Sequence, residues 1–235
     1  MNPNRREVLT SLSLGGAAAA LPGFRLQEPR ARPSPHEVKP LPFDPGKLHG
    51  LSEKLVVSHH DNNYAGAVRN LNKVEAELGG VTKDTPGFVV AGLAERALTF
   101  RNSAMLHELY FGNLGGDGKL DGDVAAALAA AFGSMARFEE LFRATAMSLA
   151  GGSGWVVLGH DSHRDELVVN WSGAHSQCLG AAMPLLVLDM YEHSYHMDYG
   201  AAAAKYVDAF FANIRGEEVD RRHSAARKAV AAMRR

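Results

Sequence analysis

The stretch Pro184-Leu185-Leu186-Val187-Leu188-Asp189-Met190-Tyr191-Glu192-His193 ends an apolar run on a carboxylate and, four residues later, an imidazole. Such a run predicts a strand that carries Asp189 to its end, with the following turn aiming His193 at the same point. A hard oxygen beside a borderline nitrogen suits Fe, Mn or Zn better than Ca or Mg. An Asp and a His at this spacing are also common on solvated helix faces, so the pair needs further donors.

Two of the 11 histidines can supply them. His59 continues the stripe of Leu51 and Leu55, and only one of His59 and His60 can share that face. His107 lies in Ala104-Met105-Leu106-His107-Glu108-Leu109-Tyr110-Phe111, apolar enough that a free imidazole needs a partner. Three imidazoles and one carboxylate leave room for one water on a five-coordinate Fe or Mn. The remaining histidines read as ordinary. His36, His49 and His223 fall in polar or tail segments and are expected to be solvated. His160 and His163 flank Asp161 in a predicted hairpin loop, a second arrangement of residue types that suits a surface metal site. His175 precedes Cys178 in a loop and either supports the centre or simply packs. His59-His60-Asp61 alone would suit an oxygen-activating iron site, but that motif belongs among strands and here follows a helical stripe.

The elements that must hold these donors begin with a helix from Ser52 to the Gly79-Gly80 stop and a second from about Phe88 to Phe111. Joined by a loop, they form an α-hairpin in which each helix buries the other's stripe. Two shorter helices follow, Val124 to Phe132 and Met135 to Leu149, divided by Gly133. The period then changes to strands over 154–159 and 166–171, around a polar turn from His160 to Asp165. The 184–188 run is a third strand, and Ala201 to Ile214 closes the fold as a helix. The class is α+β: a long N-terminal α-hairpin domain over 41–116, then a C-terminal domain over 117–215 of helices around a small three-stranded antiparallel sheet. Arg221, Arg222, Arg227, Lys228, Arg234 and Arg235 make 216–235 a basic tail, expected to be a solvated helix end.

With 235 residues, 46% of them hydrophobic, the chain can bury a sizeable core, and its net charge of -1 gives no case for a nucleic-acid partner. At the N-terminus, Arg5-Arg6 lead into Leu14-Gly15-Gly16-Ala17-Ala18-Ala19-Ala20-Leu21. This pattern over 1–24 resembles a twin-arginine export signal, although Val8 stands where Phe or Leu is commoner, and it is too short and glycine-rich to span a bilayer. Export by the twin-arginine machinery would deliver a folded, metal-loaded protein to the periplasm or cell envelope. The single Cys178 allows no intrachain disulfide there. Residues 25–40, with Pro29, Pro33, Pro35 and Pro40, read as a tether.

Several motifs then converge. Leu41-Pro42-Phe43-Asp44, Ser58-His59-His60 with Asn70-Leu71-Asn72, and His107 followed by Tyr110-Phe111 and Asn113-Leu114 lie in the hairpin. Phe132-Gly133-Ser134, Gly152-Ser153-Gly154-Trp155 and Asp189-Met190-Tyr191-Glu192-His193-Ser194-Tyr195 lie beyond it. Over about residues 41–215 the chain resembles the iron/manganese superoxide dismutase family. The resemblance implies conversion of superoxide to oxygen and hydrogen peroxide at one Fe or Mn ion per subunit. It also implies His59, His107, Asp189 and His193 as ligands, Trp155 as a wall of the site, and a homodimer or tetramer in which Glu192 reaches the partner subunit's His193.

The departures from the family pattern concern the surroundings of the metal. The family's active-site tyrosine falls on Ala67 and a neighbouring histidine on Asn63, and Tyr64 could stand in only if the helix were rotated. The water-binding glutamine falls on Ser103 or Gly151, so His175, Gln177 or His196 would have to supply the donor. Tyr191 replaces the usual tryptophan and His196 a subunit-linking tyrosine. Such groups tune potential and water acidity. The resemblance therefore also admits a weakly active or non-catalytic exported metal-binding protein.

Overall fold

The computed structural model describes residues 35–177 and 179–234; the expected export signal, the expected tether up to residue 34, and Cys178 lie outside the described residues. Helix α1 (Glu53–Ser58) starts where Ser52 Oγ accepts from the Leu55 N–H at 3.1 Å, which satisfies one of the free amides of a helix start. It passes into one π-helical segment, His59–Tyr64, and on into α2 (Ala65–Leu78). The π segment carries the first candidate donor, a placement typical of functional positions. Leu55, Val56, His59, Tyr64, Val68, Leu71 and Val74 are buried, and α2 packs along α3 (Gly87–Gly112) to make the hairpin.

Beyond the hairpin come α4 (Gly122–Phe132) and α5 (Met135–Met147). They are separated by Gly133 at φ 88°, a left-handed conformation that glycine adopts without steric cost. Strands β1 (Trp155–Asp161), β2 (Glu166–Ser172) and β3 (Ala182–Asp189) form an antiparallel sheet in the order β2-β1-β3. Strand β1 lies between its neighbours and is buried throughout, whereas β2 is mostly half-buried. Trp155 pairs with Asp189, so the register itself sets the tryptophan beside the carboxylate. A short 3-10 turn (Glu192–Ser194), α6 (His196–Tyr199), α7 (Ala203–Ala212) and α8 (Gly216–Met233) complete the chain.

Two expectations need correction. The polar turn predicted from His160 begins later, because His160 and Asp161 continue β1, pairing with Leu167 and Glu166. The basic tail is not a trailing end. Helix α8 buries Val219, His223, Ala226 and Val230 against α4 and the sheet, leaving its basic residues on other faces. His223 is 2% exposed and His160 4%, so neither is a surface histidine.

The hairpin and the sheet-bearing part share one core, and residues 35–235 cluster as one compact unit. Asn113, at the end of α3, stitches them together: its Oδ1 accepts from the Val187 N–H at 2.9 Å, and its Nδ2 donates to the Leu185 carbonyl at 3.3 Å. Arg222 of α8 adds contacts to the Leu109 and Leu185 carbonyls while pairing with Glu218 at 2.8 Å. A Cβ on Gly116 would sit 2.2 Å from the Ile214 carbonyl, so only glycine permits this crossing. Residues 35–40 lie against α2, with the His36 N–H donating to Asn72 and the Lys39 N–H to the Tyr64 hydroxyl.

Candidate metal centre

His59 comes from the π segment, His107 from α3, Asp189 from the end of β3 and His193 from the 3-10 turn after it. One ligand atom from each lies within 4.8 Å of all the others. Asp189 is the hub: its Oδ2 is 3.1 Å from His59 Nε2, 3.2 Å from His193 Nε2 and 3.6 Å from His107 Nε2. Its Oδ1 accepts from the Tyr191 N–H at 2.8 Å, which leaves Oδ2 for the centre. Its backbone carbonyl accepts from the Tyr206 hydroxyl at 2.7 Å and from Ser194 Oγ at 2.9 Å.

A cation fits this set. His107 Nδ1–H donates to the Ser103 carbonyl at 2.7 Å, so its bare lone pair is on Nε2. That buried nitrogen has no hydrogen-bond partner, and it faces a carboxylate oxygen that likewise can only accept. Two acceptors buried this close repel unless a positive charge lies between them. Burial lowers the His107 imidazole to about 3, reinforced by His59, and burial also lowers His59 against the pull of Asp189. Both rings therefore present neutral donors at neutral pH. Burial would by itself raise the Asp189 carboxyl, but His193 and His59 hold it well below the usual range, so it is an anion. Imidazole and carboxylate together suit Fe, Mn or Zn, and His107 held by Ser103 has the second-nitrogen support usual for a ligating histidine.

Around the four, Trp155 is fully buried and meets the His107 ring edge-on at 5.1 Å. Trp155 Nε1–H donates to His175 Nδ1 at 2.9 Å, and the His175 ring stacks on Tyr191 at 4.5 Å and 9°. Of the expected replacement donors, His175 is the one the structure brings to the centre, its ring 6.2 Å from that of His107. Gln177 instead accepts from the Gly173 N–H within its own loop, and His196 is exposed beside Tyr195. Ser103, expected at the glutamine position, supports His107 through its backbone.

Tyr64 does not stand in for the missing tyrosine. It is buried and its ring lies 6.3 Å from His107, but its hydroxyl donates to Glu108 at 2.9 Å, and burial raises it to about 12. Asn63 is half-buried, and among the described residues no hydrogen bond joins it to the four donors. Glu192 is exposed on the turn that carries His193. The His59-His60-Asp61 alternative dissolves: His60 turns away to Asp61 at 2.7 Å and to the Lys39 carbonyl at 2.8 Å. Tyr206, which steadies the Asp189 backbone, carries no signal in the sequence. Ser103 does, because four residues before a histidine on a helix its carbonyl lies beneath the ring.

Residues 120–222 match the family model described as iron/manganese superoxide dismutases, C-terminal domain. The chain is 48% identical over 192 residues to a protein named superoxide dismutase [Fe] of Cupriavidus metallidurans, covering 81% of this chain and 98% of that one. It is 31% identical to a superoxide dismutase [Fe] of Aquifex pyrophilus, over 85% of this chain and 97% of the relative. It is 33% identical to superoxide dismutase [Mn] 1 of Halobacterium salinarum, over 82% and 97%. With a buried three-imidazole, one-carboxylate cluster at the junction of hairpin and sheet, and relatives matched along nearly their whole length, the chain belongs to the iron/manganese superoxide dismutase family.

Proposed function

We propose that this protein dismutates superoxide to oxygen and hydrogen peroxide, with one Fe or Mn ion held by His59, His107, Asp189 and His193. The observation that carries the reading is the buried, partnerless His107 Nε2 beside an ionised Asp189 Oδ2. When bound, the metal supplies a one-electron couple between its divalent and trivalent states. Three neutral imidazoles favour the lower charge, and the Asp189 anion keeps the higher one accessible. Because Nδ1 of His175 accepts from Trp155, the proton of its neutral ring sits on Nε2. We assign that N–H the task of orienting a small oxygen ligand or passing on a proton, because the His175 ring lies 6.2 Å from that of His107. Trp155 and Tyr191 fix its ring and keep bulk water from the His107 side.

A second reading is supported by Ala67 and Gly151, which lack the hydroxyl and the amide the family places there. In it, the protein keeps the metal but turns over slowly or not at all. Metal content and superoxide consumption measured on one sample decide between the two. Turnover tracking Fe or Mn content supports dismutation, and a full metal complement with negligible turnover supports the second reading. Homodimerisation through Glu192 and the partner subunit's His193, and twin-arginine export to the periplasm or cell envelope, belong to the same proposal. They rest on the exposed Glu192 beside half-buried His193 and on the Arg5-Arg6 pattern.

A further inference from the structure

Among the described residues, three buried imidazole nitrogens have no hydrogen-bond partner: His107 Nε2, His160 Nδ1 and His223 Nδ1. The first belongs to the redox centre. The other two belong to rings with centroids 6.1 Å apart, one on β1 and one on α8. His160 repeats the arrangement of His107. Its Nε2–H donates to Asp165 Oδ1 at 2.8 Å, which fixes the tautomer and leaves the lone pair on the orphaned Nδ1. A carboxylate behind an imidazole is the usual support of a metal-ligating histidine. Asp165 is itself held for this role: it takes a left-handed φ of 62°, uncommon outside glycine, and its Oδ2 pairs with Arg234 at 2.9 Å.

We propose that His160 and His223 form a second metal site, a two-imidazole clasp for Zn2+ that ties α8 to the sheet, with water completing the coordination. The ring centroids lie 6.1 Å apart, so nitrogen–zinc bonds of about 2.0–2.1 Å require both Nδ1 atoms to face one point between the rings. Two neutral imidazoles with no thiolate and one nearby carboxylate suit a borderline divalent cation better than Ca or Mg. On the solvent side, His223 lines a groove of about 290 Å³ with Asp123, Ser224, Arg227 and Lys228. Burial, then His160 and Arg227, work against positive charge on the His223 ring itself, and Asp220 and Asp123 offset them in part. Burial lowers the His223 imidazole, so the ring is neutral and free to ligate at pH 7. This site is independent of the redox reading, since none of its residues touches the other centre.

The test uses the full chain already loaded with Fe or Mn. Zn2+ is added, excess is removed, and Zn, Fe and Mn are measured by elemental analysis beside the melting temperature. The expected result is one Zn2+ per chain above the redox ion, with Fe or Mn unchanged and a melting temperature several degrees higher. His223→Phe, which keeps ring bulk, and His160→Asn, which keeps a donor for Asp165, should lose the extra Zn2+ and the melting shift while retaining the redox metal. Exposed Asp165→Asn should fold normally and weaken Zn2+ binding by about tenfold. The proposal is overturned if the wild type takes up no Zn2+ beyond the redox ion, meaning water alone fills the gap. It is equally overturned if uptake is unchanged in the variants, which would place the ion on exposed histidines such as His36.

Discussion

At the residue scale, the centre depends on which nitrogen of each ring is left bare. His107 shows this best, with Nδ1 committed to Ser103 and Nε2 to nothing within the protein. His107→Ala should therefore lose most bound metal and drop superoxide consumption at least a hundredfold while the secondary structure persists. Full turnover in that variant would remove His107 from the site. His175→Ala makes a separate prediction: metal content stays near stoichiometric but turnover falls about ten- to a hundredfold, because a supporting donor and not a ligand has been removed. His175→Gln should recover part of the loss. Much of the centre was legible in the sequence, since Asp189 and His193 close an apolar run and His59 is in phase with Leu51 and Leu55. What was not legible was the setting of the supporting groups. Tyr64 looked available, but its hydroxyl is taken by Glu108 and the Lys39 amide, partners 44 and 25 residues away in the chain.

At the element scale, α8 is where the sequence misled. Its basic residues suggest a solvated tail, yet Val219, His223, Ala226 and Val230 recur at helical spacing and form its buried stripe. Charge counting hid a periodicity that was present. The helix is anchored by Glu218, which Arg221 holds at about 2, with Arg222 adding to the effect against burial. A carboxyl depressed in the fold stabilises it fully above its unfolded value, near 4.5, and loses that contribution as pH falls toward 2. Glu218→Gln should cost about 2 kcal/mol at pH 7 by leaving the half-buried Arg222 without its anion, a melting drop of roughly 4–8 °C. The variant should also flatten the pH dependence of stability in that acid window, as read by denaturant midpoints. Unchanged midpoints would mean that Arg222 is held by its carbonyl contacts alone.

At the scale of the whole molecule, the donors come from both halves of the chain, so the metal couples the hairpin to the sheet-bearing part. The α+β architecture followed from the switch of period after Leu149, and strands β2 and β3 fall within two residues of where alternation and apolar runs put them. The register that sets Trp155 against Asp189 did not follow, because strand pairing depends on contacts remote in sequence. Glu192→Ala should shift the protein toward monomer in sedimentation if this exposed carboxylate bonds the partner subunit's His193. An unchanged oligomer would place the interface elsewhere. The most direct test of the central claim is elemental analysis of the protein from its native compartment, coupled to superoxide consumption by the same sample. One Fe or Mn per chain, with turnover rising in proportion to occupancy, is the predicted result. Protein that consumes superoxide equally well after its Fe and Mn are stripped would contradict it.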